Sequence, residues 1–323
     1  KMQQYNYVIF QRDSDYYRVS YSDLSNRDDV IYIDHFRPSH PSIVNILYRI
    51  HHLKILNVDL RLPAKHIWYP SYFKHSFANN LPLCFIFNSR WMKYPHLREY
   101  LLYLKYRHNA KLVCFYQDLV DAHRHVKFHK IFHLFDLILT YDKGDAEKYG
   151  LTYHPTVYSN YKVDNDENIP GSDVYFVGSA KDRLALVFDV FYRLKKEGIA
   201  CDFYLSGVPS SKKIEEDGLH YIHKMSYIEN LKHVVRTKCI LEIVQGNAKG
   251  STLRTWEAIM YDKKLLTNNL TIANDFYYDG NYISLLNGNY IDVDFIKQHH
   301  SYNNPFKNQI NPEKLLDFIT QRL

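Results

Sequence analysis

The run Glu242-Ile-Val-Gln245-Gly-Asn-Ala-Lys249-Gly250-Ser251-Thr252-Leu-Arg254-Thr-Trp-Glu257-Ala258 gathers residue types that can do chemistry on an anion. An apolar stretch passes into a polar, glycine-bearing loop and then into helical spacing. Ser251 or Thr252 can cap that helix, so that its free N–H groups face a pyrophosphate. Arg254 presents a planar fork that matches phosphate. Gln245 and Lys249 line the loop, and Lys249 brings a further positive charge. Glu257 follows Arg254 by three positions, on nearly the same helical face, and can accept hydrogen bonds from ribose hydroxyls. The plainer alternative is a capped surface helix closed by an ion pair between Arg254 and Glu257.

A second run, Phe176-Val-Gly178-Ser179-Ala-Lys181-Asp-Arg183, reads as strand, tight turn and helix. Gly178 lets backbone approach a ligand closely, Ser179 opens the turn, and Lys181 and Arg183 can add charge to a phosphate contact. Many strand-to-helix connections have this form without binding anything. A third pattern is His125, His129 and His133 at four-residue spacing, with Arg124, Lys127 and Lys130 alongside. Two histidines so spaced can chelate zinc, but no third ligand is evident. With Phe128, Ile131, Phe132 and Phe135 the same stretch suits a basic amphipathic helix at an anionic membrane interface, or one packed on a sheet.

The elements that must position these residues alternate strand and helix almost throughout. Strands are predicted at 7–10, 30–33, 83–87, 111–116 and 137–140, with helices at 42–53, 95–107 and 122–134. Residues 156–172 hold Asn, Asp, Ser, Pro170 and Gly171 without apolar period and read as a linker. The alternation then resumes, with strands at 173–177, 201–205, 239–244, 264–267 and 282–285. Helices are predicted at 181–197, 227–236, 251–262, 292–298 and 312–322. Two βαβ series argue for an α/β protein of two Rossmann-like domains, 1–155 and 173–323, facing across a cleft, with the 312–322 helix free to pack back on the first. In such sheets ligands bind beyond the carboxyl ends of the strands.

At this point a resemblance enters. The segment from Gly250 through Glu257 to Asn269 resembles the donor site of GT-B glycosyltransferases, in particular bacterial enzymes of lipopolysaccharide and capsule assembly. Phe135-Asp136 through Asp142, Asp145 and Tyr149-Gly150 resembles the close of the first domain of that fold. The resemblance implies a nucleotide-sugar donor, of UDP type, with Glu257 on the ribose and Arg254 and the 250–252 turn on the diphosphate. Gly178 and Ser179 would form the facing phosphate loop. Many retaining members carry a glutamate eight positions before the ribose glutamate; here that position is Lys249, which leaves the stereochemistry open. No Asp-x-Asp metal motif stands in a suitable loop, so a metal-independent transfer to a glycan or lipid-linked glycan hydroxyl is expected. An inverting reaction would need a base, for which Asp34 and His35 after one strand and Asp118 after another are candidates. Each could equally cap a helix or close a turn. Two other readings share the architecture: a nucleotide-sugar 2-epimerase, and a non-catalytic glycan- or nucleotide-binding partner.

Composition limits the rest. The 323 residues are 46% hydrophobic and 24% charged, with eleven Gly and eleven Pro, so collagen-like and low-complexity chains are excluded. No apolar run approaches the roughly 18 residues of a membrane span. The opening Lys1-Met2-Gln3-Gln4 has no charged-then-apolar leader, which leads to the expectation of a cytoplasmic protein. Cys84, Cys114, Cys201 and Cys239 each sit in an apolar run and read as reduced core residues. Residues 1–155 carry 21 Lys or Arg against 14 Asp or Glu, whereas 156–323 carry 20 against 21. A basic first half points to an anionic partner, such as a membrane surface at the inner face of the cell membrane. Nucleic acid is not expected, since no recognition motif is present.

Overall fold

The computed structural model describes residues 4–11, 14–36, 42–53, 56, 62–94, 96–123, 131–244, 250–288, 290–298 and 303–323. The chain forms two compact units. The first comprises Lys1–Tyr17, Leu24–Thr156 and Glu313–Leu323, and the second Arg18–Asp23 and Val157–Pro312.

In the first unit β1 (Asn6–Phe10), β2 (Val30–Ile33), β3 (Leu83–Asn88), β4 (Lys111–Tyr116), β5 (Leu137–Thr140) and β6 (Thr152–Tyr153) form one sheet in the order β2-β1-β3-β4-β5-β6. Every pairing is parallel. The central strands are apolar at nearly every position because helices cover both faces of a parallel sheet. Among the described residues the helices here are α1 (Asp15–Ser20), whose Arg18–Ser20 belong to the second unit, α2 (Ser42–His51), α3 (Tyr69–Tyr72), α4 (Leu97–His108) and α5 (Lys143–Tyr149). α4 shows the reason for its docking in its spacing: Leu97, Tyr100, Leu101 and Leu104, on one face, are its buried residues. It ends at Asn109, which takes the left-handed conformation tolerated by asparagine. Phe10 stacks on Phe87 at 4.5 Å and packs against Phe36, Trp91 and Tyr100, so the aromatic excess of the sequence fills this core.

The second unit holds β7 (Ser172–Ser179), β8 (Cys201–Ser206), β9 (Leu219–Ile222), β10 (Thr237–Glu242), β11 (Lys264–Thr267) and β12 (Ile283–Leu285), again all parallel. Their order, β12-β11-β10-β7-β8-β9, is the Rossmann order 3-2-1-4-5-6 read from the other edge. Chain direction therefore switches between β7 and β10, which are adjacent in space. The helices are α6 (Leu184–Lys196), α7 (Tyr227–Arg236), α8 (Leu253–Met260) and α9 (Val293–Lys297). A last helix, α10 (Pro312–Thr320), leads into the Glu313–Leu323 stretch of the first unit, where Phe318 meets the ring of His154 edge-on at 4.7 Å.

The expected α/β architecture of two Rossmann-like sheets is present. The edge strands β6 and β9 and the helix α5 were not expected from periodicity. The described flanks of the expected 122–134 helix are 3-10 turns, Val120–His123 and Phe132–Leu134. Residues 124–130, with His125 and His129, lie outside the described residues. All four cysteines are free, and Cys84, Cys114 and Cys239 are buried, where desolvation raises their thiol pKa values. Among the described residues no helix is long and apolar enough to cross a membrane.

Candidate functional site

The richest polar constellation lies where β10 ends and α8 begins. Glu242, the last residue of β10, is 1% exposed. Its carboxylate accepts from the hydroxyls of Thr252 at 2.5 Å, Thr255 at 2.8 Å and Thr267 at 2.6 Å. A buried carboxylate must find such donors, and here it ties the end of its own strand to α8 and to β11. Thr252 caps α8, its hydroxyl oxygen accepting from the Arg254 N–H at 3.1 Å. Ser251 is hydrogen-bonded to the Tyr277 hydroxyl, and Asn269 donates to the Gly250 carbonyl at 3.3 Å. The 250–252 turn is therefore clamped from three directions before any ligand arrives. Trp256, nearly fully buried against Tyr277, fixes the helix behind it.

Arg254 and Glu257 form an ion pair between Nη1 and Oε2. Glu257 is completely buried, and its Oε1 also accepts from the Tyr227 hydroxyl at 2.9 Å and from Asn230 at 3.1 Å. Asn230 returns its oxygen to Arg254 at 2.8 Å and to the Tyr175 hydroxyl at 3.0 Å, while Tyr158 hydrogen-bonds Tyr227 at 2.7 Å. Burial pushes the Glu257 carboxyl above the usual range, against the pull of Arg254, Tyr227 and Asn230. Burial likewise opposes the charge of Arg254, but Glu257 and the neighbouring tyrosines outweigh it and hold the guanidinium above its ordinary value. Among the described residues only one nitrogen of the guanidinium is bonded, and a fifth of the side chain remains exposed.

Across the topological switch, β7 ends in Gly178 and Ser179. Arg183 reaches back from the following turn, donating to the Ser179 carbonyl at 3.0 Å and to the carbonyl of Ile243 just after β10. It thus staples the two strand ends that bracket the switch point. A Cβ at Gly178 would stand 2.7 Å from Arg183 Nη2 and 2.9 Å from the Phe176 ring, so the glycine makes room for this guanidinium. Burial lowers the Arg183 pKa; Asp182 opposes this and the charge of Arg254 adds to it. Two arginines that repel each other at a strand-end crevice are a place where an anion is stabilising. Lys181 lies in the 3-10 turn Lys181–Arg183 at the same edge. Gln245 and Lys249 fall outside the described residues.

The candidate bases of the first unit are not brought together. Asp34 and His35 follow β2 and pair with each other on an exposed edge. Asp118 follows β4 and stands 3.7 Å from Arg90, with about half of each side chain exposed. β2 and β4 are three strand spacings apart, about 14 Å. At the switch point of this sheet, between β1 and β3, sit residues that sequence reasoning did not single out. The Gln11 side-chain oxygen is buried with no hydrogen-bond partner among the described residues, and Asn88 donates to Gln117 at 2.6 Å. In the second unit Glu242, Tyr227, Asn230 and Tyr158 were likewise not singled out as site residues. The Tyr227 and Asn230 spacing of three on α7 is the one local signal that could have shown two of them.

No protein-family model matches the chain, and no curated protein matches it in sequence. Among solved structures it is similar to a UDP-forming α,α-trehalose-phosphate synthase from Burkholderia xenovorans, at 10% identity and a TM-score of 0.50, over 87% of this chain and 88% of that one. An α-glucosyltransferase in complex with UDP and DNA aligns at 10% identity and a TM-score of 0.47, over 83% and 80%. A UDP-N-acetylglucosamine 2-epimerase from Rickettsia bellii aligns at 14% and 0.40, over 82% and 79%. At these identities the likeness concerns the fold alone. The fold is GT-B: α/β, with two parallel six-stranded Rossmann-like sheets.

Proposed function

We propose that the chain is a glycosyltransferase that moves a sugar from a nucleotide-sugar donor, UDP-linked, to a hydroxyl of a lipid-linked glycan in bacterial surface polysaccharide synthesis. It would act as a peripheral protein at the inner face of the membrane. The observation that carries this reading is the preformed 250–257 turn and helix at the switch point of a Rossmann sheet, with Arg254 poised beside it. The diphosphate would lie against the N–H groups of the 250–252 turn, with Arg254 turning from Glu257 to the phosphate oxygens. Glu257, released on one side, would then accept the ribose hydroxyls, while Gly178, Ser179, Lys181 and Arg183 form the opposite rim and Gln245 and Lys249 close the loop.

In the transfer, the acceptor oxygen forms a bond to the anomeric carbon, and the bond from that carbon to the phosphate oxygen breaks. The acceptor proton passes to a base, and the nucleoside diphosphate leaves. Arg254, Lys249 and the start of α8 stabilise the charge that develops on the leaving group without recourse to a metal. Asp34, His35 and Asp118 remain the candidate bases for an inverting course. A thermal-shift screen against UDP, GDP, CMP and dTDP sugars tests the donor, since a ligand that binds only the folded state raises the melting point. No shift with any of them removes the proposal. Free sugar released from donor alone marks a 2-epimerase instead, and binding without turnover on any acceptor marks a non-catalytic partner.

A further inference from the structure

α2 is oriented unlike the other long helices of the first unit. The residue it commits to the core is Tyr48, 7% exposed, which donates its hydroxyl to the Phe36 carbonyl and stacks on His52 at 4.1 Å. Ile43, Ile46, Leu47 and Ile50, spaced i, i+3, i+4 and i+7, are 73, 54, 54 and 46% exposed. At about 100° per residue they occupy one stripe, roughly opposite Tyr48. An amphipathic helix normally turns such a stripe to the core; here it points outward. The C-terminal turn of α2 is braced in this attitude. Lys65 donates to the His51 carbonyl and the Trp68 indole donates to His51 Nδ1 at 2.8 Å. Ile67, 56% exposed, stands on the adjoining turn Lys65–Trp68.

Along the chain, the charge near α2 is one-sided. Residues 35–79, which contain α2, hold six Lys or Arg against one acidic residue, Asp59; Arg37, Lys54, Asp59 and Arg61 lie outside the described residues. Arg49 is exposed on α2 itself, beside the stripe. The outward stripe amounts to on the order of 400 Å² of aliphatic surface, about half of what one side of a stable protein dimer buries. An apolar stripe of that size, set in a cationic segment, fits the boundary between acyl chains and anionic head groups. We propose that α2 is the element that docks this protein on an anionic lipid surface, with the stripe at the acyl boundary and Arg49 among the head groups. This deepens the peripheral placement proposed above and is tested apart from the sugar chemistry, because lipid binding needs no nucleotide.

The test is flotation of the full chain with vesicles of phosphatidylcholine alone and of phosphatidylcholine with one third phosphatidylglycerol. The wild-type protein is expected to float with the anionic vesicles at least tenfold better than with the neutral ones, and to lose part of that binding when salt is raised toward 0.5 M. The Ile46→Glu, Leu47→Glu double variant is expected to lose at least tenfold in binding. Its circular dichroism and melting point should match the wild type, since both side chains are solvent-exposed. Three results would overturn the proposal. They are no flotation of the wild type on anionic vesicles, equal flotation of the variant, and a concentration-dependent dimer that the variant abolishes in the absence of vesicle binding.

Discussion

Arg254→Ala probes two properties of the site at once. Removing the guanidinium leaves Glu257, which has no exposed surface, without its one salt-bridge partner among the described residues, though Tyr227 and Asn230 still donate to it. Breaking a buried pair from one side costs about 3–5 kcal/mol, and the partial exposure of Arg254 puts this case near the lower end. At about 2–4 °C per kcal/mol for a unit of this size, the melting point should fall by roughly 6–12 °C. The loss should depend on pH. Burial raises the Glu257 carboxyl already, and without Arg254 it rises further. Below the ordinary value near 4.3 both folded and unfolded chains hold the proton, and no penalty arises from this group. Above it the unfolded chain ionises while the folded variant keeps its proton. Because the wild-type carboxyl is itself raised, the gap between variant and wild type opens above the wild-type folded value and grows by up to about 1.4 kcal/mol per pH unit until the variant's folded value is reached. Calorimetric melting of variant and wild type at pH 5 and pH 8 should show the larger gap at pH 8. Adding Glu257→Gln removes the titrating group and should abolish that difference. An equal gap at both pH values, with no effect of the second substitution, would refute the coupling.

Calorimetry with ligands separates the proposed roles further. Arg254→Ala should lower affinity for UDP and for pyrophosphate alike, by at least tenfold, through loss of a charge-assisted phosphate contact. Glu257→Gln should weaken UDP more than pyrophosphate; equal losses would show that it does not meet the ribose. Glu242→Ala leaves three threonine hydroxyls without their acceptor and should cost about 3 kcal/mol in denaturant unfolding, with weaker UDP binding as the turn loosens. A stability unchanged within about 0.5 kcal/mol would remove Glu242 as the anchor of the turn. Gly178→Ala forces Arg183 off its carbonyl partners and should cost about 1–3 kcal/mol, which chemical denaturation would measure. No change would mean that the guanidinium has another place to go.

Much of the architecture was readable along the chain. Leu83–Asn88 and Lys111–Tyr116 are central strands of a parallel sheet, apolar nearly throughout, and a run of that kind is visible without coordinates. The helical face of Leu97, Tyr100, Leu101 and Leu104 is visible for the same reason. So are the cap at Thr252 and the closeness of Arg254 to Glu257, because both depend on contacts within a turn of chain. Leu219–Ile222 escaped notice because exposed His220 interrupts the apolar run that marks a buried strand.

The amino-acid order by itself determined where the helices and buried strands fall, since local spacing decides which side chains share a face. Tertiary structure alone decided which distant groups meet. Glu242 finds Thr267, and Glu257 finds Tyr227 and Asn230, only because parallel strands bring chain segments 25 to 30 residues apart to one sheet edge. The order β12-β11-β10-β7-β8-β9 likewise sets Arg183 against Ile243, sixty residues away. The outward turn of α2 belongs to the same class. Its stripe is plain in the sequence, but whether a stripe faces core or solvent is settled by Tyr48 and the turn that braces His51, that is, by packing free energy and not by local preference.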